Sequence, residues 1–315
     1  MLSLVIRRLL TGLVTLWLVS VLIFAGTEIL PGDVASAILG QERTPEALQA
    51  IRKNLALDQP PTTRYVRWLT QFVRGDLGKS LVSGTDIAPE IRNRLANTAF
   101  LAGVAACISI PLSISLGLLS VIRRSGFIDK VINAVALMTI SAPEFLVAYV
   151  LIVVFSVRFR LFPSLALISD ATGFWDRLYI VTLPVGTIVL AVLAYVMRLT
   201  RAAIIGVLSS PYIEMAILKG VSWPRVVLRH ALPNALAPII NVVALNLAYL
   251  IAGVVVVEVV FVYPGIGQLM VDSVSKRDVP VVQACGLIFA SAYVGLNMIA
   301  DLLGVISNPR LRHPR

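Results

Sequence analysis

Six apolar stretches, each long enough to cross a lipid bilayer as a helix, limit the fold of this chain more than any other feature. They cover residues 9–30, 96–122, 131–157, 179–197, 236–257 and 281–306. Backbone polar groups in hydrocarbon must be hydrogen-bonded internally, so such segments cross as α-helices. Of the 315 residues, 58% are apolar and only 14% are charged, whereas a soluble domain carries roughly 25% charge. The sequence therefore predicts an all-α integral membrane protein with six transmembrane helices, and it excludes a soluble enzyme or a disordered chain.

The distribution of charge predicts the orientation of these helices. Lys and Arg residues dominate the N-terminus, the 123–130 and 198–235 segments and the tail after residue 306, where Asp129 and Glu214 are the only acids. Lys and Arg accumulate in cytoplasmic loops, so we expect both termini to be cytoplasmic. The net charge of +10 reflects this bias and does not indicate a nucleic-acid partner. The first stretch exceeds the roughly 7–15 apolar residues of a signal peptide, so we expect it to be retained as a span.

The chain divides into an N-terminus with the first span (1–30), an external segment (31–95), a five-helix core (96–306) and a cytoplasmic tail (307–315). The external segment is too polar for the membrane and carries helix signals. Thr44-Pro45-Glu46 resembles a helix start, and a second helix is predicted over 62–74, with Gly75 as its stop. This segment is either a small helical cap on the membrane domain or a docking platform for an external partner.

The sequence contains no recognisable catalytic, nucleotide-binding or metal-binding motif. Residues 75–80 end in Gly-Lys-Ser, but Val73 stands where a phosphate-binding loop needs glycine. His230 and His313 have no cluster of neighbouring ligands, and the two cysteines lie in apolar stretches. We therefore expect a transporter subunit without enzymatic activity, metal or cofactor, in which a partner or an ion gradient supplies the work.

The most informative motif lies in the 212–233 segment. Glu214, Ala216, Gly220, Leu232 and Pro233 fall at the spacing of the signature loop of importer-type ABC permeases, with Met215 and His230 as departures. Further matching runs are Leu30-Pro31-Gly32-Asp33, Ser141-x-Pro143-x-Phe145, Glu258 to Gly267, Arg277 to Gln283 and Asn308-Pro309-Arg310. Together they resemble the dipeptide, oligopeptide and nickel subfamily, in particular its DppB/OppB-like first permease subunit.

This resemblance implies a type I ABC importer permease fold in the bacterial cytoplasmic (inner) membrane. It also implies four partners besides the lipid bilayer: a second homologous permease, two ATP-binding subunits on the cytoplasmic side and an external substrate-binding protein. ATP and Mg would then be bound in the ATPase subunits. The expected cargo is a di- or oligopeptide, with a nickel chelate, glutathione or an oligosaccharide as alternatives.

The 198–235 loop is expected to contact the ATPase. Two short helices are predicted on either side of Gly220, because glycine adopts the positive φ that a tight reversal needs, and Pro233 is predicted to end the second helix. The residues assigned to coupling are Glu214, Ala216, Lys219, Gly220, Leu232 and Pro233. The alternative is an ordinary amphipathic connector.

Charged and polar residues within the spans suggest a translocation path. Glu144 follows Pro143 near the middle of the third span, where a carboxylate is expensive unless it faces a cavity or a partner. We predict that it meets a cationic group of the cargo, or else pairs at the interface with the second permease. Asn246, Tyr249 and Gly253 share one face of the fifth span, which either lines the path or packs against a neighbour.

Glu258 lies at the end of the fifth span and is also assigned to the path, which comprises Pro143, Glu144, Asn246, Tyr249 and Glu258. A carboxylate in a span is also typical of a different class of transporter. A secondary carrier could use Glu144 as its proton or ion site.

Overall fold

The computed structural model describes residues 2–29, 59–124, 126–169 and 171–307, and this part of the chain is built from α-helices. In chain order they are α1 (Leu2–Ile29), α2 (Pro61–Val73), α3 (Ile87–Ile122), α4 (Phe127–Ser141), α5 (Glu144–Leu151), α6 (Phe174–Ile180), α7 (Thr182–Leu208), α8 (Pro211–Leu218), α9 (Leu232–Val260), α10 (Ile266–Ser275) and α11 (Val279–Ser307). A π-helix, Ile152–Arg158, extends α5, and a short turn, Trp223–Arg225, with a second π-helix, Val226–Ala231, leads into α9. The predicted all-α fold is confirmed.

Within the described residues, five helices are long and apolar enough to cross a membrane, and the α4–α5 pair makes a sixth if it is one broken span. The five are α1, α3, α7, α9 with its lead-in, and α11. Each overlaps most of one of the predicted apolar stretches. The motif at residues 30–33, the helix predicted to begin near Thr44 and the motif at 308–310 lie outside the described residues.

The third span differs from the single kinked helix that the sequence predicts. It breaks into α4 and α5, which are bent by 108° relative to each other. Ala142 has ψ 131° and Pro143 has ψ 142°, so both residues are extended. A proline ring disfavours helical backbone in the residue before it, which accounts for the extended Ala142. Glu144 therefore lies in the first turn of a new helix and not midway along a continuous one.

The centre of the molecule is the packing of α3 against α7 and α9. Buried residues recur every four positions along α3, at Leu101, Ala105, Ser109, Ser113 and Gly117. A Cβ atom on Gly117 would lie 3.0 Å from the carbonyl oxygen of Met197, so glycine allows the backbones of α3 and α7 to approach closely. Small residues of this kind drive helix association where the surrounding lipid is as apolar as the side chains.

The helix α7 extends eleven residues past the predicted end of the fourth span, to Leu208. Arg198 and Arg201, which were counted with the loop, therefore lie in a helix. Arg201 donates to the carboxylate of buried Asp129 at 3.1 Å and to the hydroxyl of Ser120 at 2.9 Å. This ion pair neutralises the Arg201 charge where α3, α4 and α7 meet, so the helix continues past the basic residues.

Near the start of α3 lie α2, the loop that joins α2 to α3, and α10. The helix predicted over 62–74 is observed as α2, and Gly75 follows it with φ 83°. The hydroxyl of Tyr65 lies 2.8 Å from that of Ser20 on α1, which places α2 against the first span. Asp278 binds the loop before α3, because its carboxylate accepts hydrogen bonds from the Ser80 hydroxyl and from the backbone N–H of Leu81 at 3.0 Å.

Glu258 is fully buried within this region, which corrects its assignment to the translocation path. Its carboxylate accepts hydrogen bonds from the Thr98 hydroxyl at 2.6 Å and from the backbone N–H groups of Gly267 and Gln268 at 2.8 and 3.2 Å. The acid thus binds the open N–H groups at the start of α10, which carry partial positive charge. Thr98 in turn accepts from the N–H of Ile266 at 2.9 Å.

A second pair of bonds joins the same two segments. Tyr263 donates its hydroxyl to the carbonyl of Asn97 at 2.7 Å, and Asn97 donates its side-chain amide to the carbonyl of Pro264 at 2.9 Å. Burial raises the pKa of the Tyr263 hydroxyl, so it stays protonated and keeps its role as donor. The loop between α9 and α10 is therefore fixed to α3 at several points.

Gly265→Ala should destabilise the protein, because a Cβ at this position would lie 2.0 Å from the Glu258 carboxylate. The carboxylate would have to leave the N–H groups of α10, at a cost of about 2–4 kcal/mol. We expect a lower midpoint of thermal unfolding, followed by circular dichroism in detergent. Gly103→Ala is the matched control, since nothing lies within 4 Å of its added Cβ. Equal midpoints for both variants would contradict the assigned role of Glu258.

Candidate functional site

The segment between α7 and α9 forms a rigid elbow around Gly220. Gly220 has φ 78°, which confirms the predicted reversal. Its N–H donates to the carbonyl of Ile217 at 2.9 Å, and the N–H of Val221 donates to that of Ala216 at 3.2 Å. These two bonds form a Schellman motif, in which a glycine in the left-handed conformation ends a helix and satisfies its last carbonyls.

The inner side of the elbow packs on the ends of the long helices. Ile213, Ala216 and the π-helical residues Val226 and Ala231 are buried in one cluster with residues of α3, α7 and α9. Trp223 donates its indole N–H to the carbonyl of Val121 at the end of α3, at 3.4 Å. A displacement of the elbow would therefore change its contacts with all three helices.

The outer side of α8 is apolar and exposed. Tyr212, Met215, Ile217 and Leu218 all present large side chains there, and Leu218 is 75% exposed. With eight residues α8 spans only about 12 Å, too short to cross a membrane. An apolar patch of this kind beside charged residues indicates a surface that another protein covers.

The second helix of the elbow differs from the prediction. Pro233 does not end a helix, because the chain continues through the π-helix Val226–Ala231 directly into α9. A proline cannot donate to the carbonyl four residues earlier, here Arg229, and its ring clashes with that carbonyl. The wider π-helical turn relieves this clash, so Pro233 lies in the first turn of α9.

The predicted coupling residues are distributed over this elbow. Glu214, Lys219, Gly220 and Pro233 are exposed, Leu232 is half-buried and Ala216 is buried. The sequence analysis did not single out the exposed apolar residues Met215 and Leu218, although their position beside Glu214 in the motif already placed them on α8.

A pocket of about 690 Å³ lies at the break in the third span. Its walls come from α4, α5, α7, α9 and α11, and its polar lining residues are Thr139, Glu144, Tyr195, Asn246, Tyr293 and Asn297. The structure thus brings together three of the residues predicted for the path: Pro143, Glu144 and Asn246. The sequence analysis missed Asn297, although a polar side chain within the sixth span was a signal of the same kind as Asn246.

The carboxylate of Glu144 lies against α9 at Gly253. A Cβ on Gly253 would be 3.2 Å from each carboxylate oxygen, so the glycine leaves the space that the carboxylate occupies. Asn246 and Gly253 are two helical turns apart and share one face of α9. The side chain of Tyr249, predicted on the same face, lies outside the described part of the structure. Within the described residues, no group of three or more His, Cys, Asp or Glu side chains is placed to hold a metal ion.

Comparison with known proteins agrees with these features. Residues 109–313 match the family described as "Binding-protein-dependent transport system inner membrane component", and residues 1–102 match its N-terminal family, "Binding-prot-dependent transport system membrane comp, N-term". The chain is 37% identical over 313 residues to the glutathione transport system permease protein GsiC of Escherichia coli (strain K12), which covers 99% of this chain and 100% of the relative. The GsiC protein of Shigella flexneri serotype 5b (strain 8401) is similar to the same extent.

Both family matches lie on the elements described above, since the first includes the elbow and the pocket and the second includes α1 and α2. The chain therefore belongs to the inner membrane components of binding-protein-dependent transport systems, as an ABC importer permease of the peptide, nickel and glutathione subfamily.

Proposed function

We propose that this chain forms half of the translocation path of an ATP-driven importer and couples to its ATPase through the elbow. The observation that carries the proposal is the apolar outer side of α8, which ends in Leu218 and lies on a short helix outside the spans. Its inner side packs on three long helices, so force applied to α8 would reach the membrane domain. ATP and Mg are assigned to two partner ATPase subunits.

The pocket supports a second homologous permease as a further partner. Tyr195 and Tyr293 are each about half exposed on its wall, beside the Glu144 carboxylate and two amide side chains. Such groups are costly against hydrocarbon and face protein or water in membrane proteins. A second permease that covers the open side of the pocket would complete a path between the two subunits.

The basic residues beside α8 favour a cytoplasmic elbow. Lys219, Arg225 and Arg229 are all exposed on this side, whereas Glu214 is the only acid between residues 198 and 235. Positive charge is retained on the cytoplasmic side, so both termini are assigned to the cytoplasm and α2 to the outside. An external binding protein would then deliver cargo on the α2 side.

Short peptides are the proposed cargo, with glutathione, itself a small peptide, among them. The support is the name of the GsiC relatives, which are glutathione transport permeases. The pocket is large enough for a small ligand, since such sites typically measure about 300–1,000 Å³. A nickel chelate and an oligosaccharide remain alternatives within the same class.

A cycle of alternating access follows from this arrangement. The ATPase subunits close on ATP and move α8, and α9 carries the motion from the elbow past the pocket. The pocket then opens outward to a docked binding protein, and ATP hydrolysis restores the inward-facing state. The net work comes from the different contacts that the ATPase makes in the two states.

Gly220→Pro should uncouple the complex. Proline requires φ near −65°, whereas Gly220 has φ 78° and its N–H bonds to Ile217. We expect normal membrane insertion with ATP hydrolysis that loaded binding protein no longer stimulates. Gly220→Asn is the control, because asparagine tolerates positive φ, and it should retain most of the stimulation. Normal stimulation in an assembled Gly220→Pro complex would remove this residue from coupling.

Leu218→Glu should weaken binding of the ATPase subunits. The change places a charge on a surface that is 75% exposed in the chain alone and would be buried in the complex. Losing one buried leucine contact corresponds to about 1.5–3 kcal/mol, or roughly tenfold or more in affinity. Co-purification of the ATPase with the permease measures this loss. Val73→Glu, at the 78% exposed end of α2, is the control, and an equal loss for both would contradict the docking surface.

A protonophore separates ATP-driven import from the secondary carrier in which Glu144 binds a proton. In proteoliposomes with ATP held constant inside, uptake should continue after the proton gradient is collapsed. The measurement is the initial rate of uptake of labelled cargo with and without the protonophore. If uptake stops while ATP is constant, the carrier is the better description.

A further inference from the structure

Three polar side chains of the pocket each donate one hydrogen bond to a carbonyl of their own helix. Thr139 donates its hydroxyl to the carbonyl of Val135 at 2.9 Å. The side-chain amides of Asn246 and Asn297 donate to the carbonyls of Val242 and Tyr293 at 3.3 and 3.0 Å. In each case an oxygen with lone pairs remains free, and each amide also keeps its second N–H. The side of the pocket formed by α4, α9 and α11 therefore offers three acceptor oxygens beside two amide N–H groups.

Glu144 adds a charge to this set of acceptors. Its carboxylate lines the pocket and makes no hydrogen bond or ion pair with the described residues. An ionised carboxylate accepts hydrogen bonds and donates none. Among the described residues that line the pocket there is no Lys, Arg or His to neutralise it. A ligand with a positive charge and several N–H donors would satisfy these groups together.

We propose that the pocket binds the protonated primary amine of the cargo, with Glu144 as its counter-charge and Asn246 and Asn297 as further acceptors. This inference rests on the proposed function, because it takes the pocket as part of the translocation path. An ammonium group has three donors and no acceptor, which matches a pocket lined by a carboxylate and two amide oxygens. The N-terminal amine of a peptide has this chemistry.

The two tyrosines on the wall fit the same ligand. Tyr195 and Tyr293 both line the pocket and are each about half exposed. Aromatic faces attract cations, and a phenol oxygen can accept a further hydrogen bond. A free carboxylate in the same place would be repelled by Glu144, and no Lys, Arg or His among the described lining residues would offset that repulsion. The charge of the pocket thus favours the amine end of a peptide.

The test uses the complete transporter in proteoliposomes, with its binding protein outside and ATP inside. The probes are trialanine, which has a free amine, and N-acetyl-trialanine, which does not. The rate of each variant is divided by the wild-type rate for the same peptide, so that the selectivity of the binding protein cancels. Glu144→Gln should lower trialanine uptake about tenfold or more, as expected for a lost charge-assisted hydrogen bond. Uptake of the acetylated peptide should change less than about twofold, since that peptide lacks the charged donor.

A second variant tests whether a negative charge in the pocket is sufficient, even when it is not at position 144. The double variant Glu144→Gln with Asn297→Asp removes the carboxylate from α5 and places one on α11, on the wall of the same pocket. It should restore a large part of the preference for trialanine. Glu90→Gln is the matched control, because Glu90 lies on α3 outside the pocket and pairs with Arg94 four residues along the same helix. This control should transport both peptides at the wild-type rate.

Three results would overturn the inference. Unchanged uptake of trialanine in Glu144→Gln would remove the counter-charge. Equal loss of both peptides, with poor assembly and no recovery in the double variant, would identify Glu144 as a structural partner of the second permease. Loss of both peptides without recovery in a well-assembled complex would show a general role in transport.

If the wild-type complex imports neither probe with ATP, the proposal of a peptide cargo is wrong. The amine site can then still be tested by measuring binding directly. Saturation-transfer NMR on the purified complex then compares binding of trialanine and N-acetyl-trialanine directly. Binding of trialanine that is lost in Glu144→Gln supports the site. Equal signals from the two probes, or equal signals from wild type and variant, overturn it.

Discussion

The buried carboxylate of Glu258 determines how the long helices are held relative to one another. It lies at the end of α9 and binds the Thr98 hydroxyl on α3 and the first N–H groups of α10. At the other end of α9, the π-helical lead-in packs on α3, where Trp223 bonds to the carbonyl of Val121. The helix α9 is therefore joined to α3 at both ends of the membrane domain. Everything between these ends, including the pocket, depends on that frame.

The third span, unlike α9, is interrupted. Two extended residues, Ala142 and Pro143, separate α4 from α5, and both line the pocket. Irregular backbone at membrane depth is tolerated where it lines a cavity or is buried in protein. The pocket therefore has one wall of continuous helix, α9, which carries Asn246, and another wall formed where the third span is interrupted.

Much of this architecture could be predicted from local sequence. Apolar stretches gave the spans because hydrocarbon requires helices, and Gly220 gave the reversal because few other residues adopt its φ. Pro143 was a local signal for a bend in the third span but did not give its angle of 108°. The burial of Glu258 could not be predicted, because it depends on contacts distant in sequence. Thr98 and Glu258 are 160 residues apart. A carboxylate at a span end looks alike from sequence whether it faces water or binds the start of another helix.

Pro233 illustrates a different limit. A proline usually marks the end of a helix, yet here a π-helical turn removes the clash and the helix continues into α9. Whether a chain breaks or widens at proline depends on how much burial favours continuation. Val226, Val227 and Ala231 are fully buried, so packing favours the continuous form. Single-residue preference cannot contain this information.

The exposed apolar side of α8 affects how long an unassembled copy of the protein persists in the cell. A newly made copy that has not met its partners presents Met215, Ile217 and Leu218 to water. Surfaces of this kind favour aggregation and attract chaperones and proteases. The steady-state amount of the chain should then follow the supply of its partners, since binding stabilises only the folded, assembled form. The stoichiometry of the complex would in this way be maintained by removal of unassembled subunits, without any matching of synthesis rates.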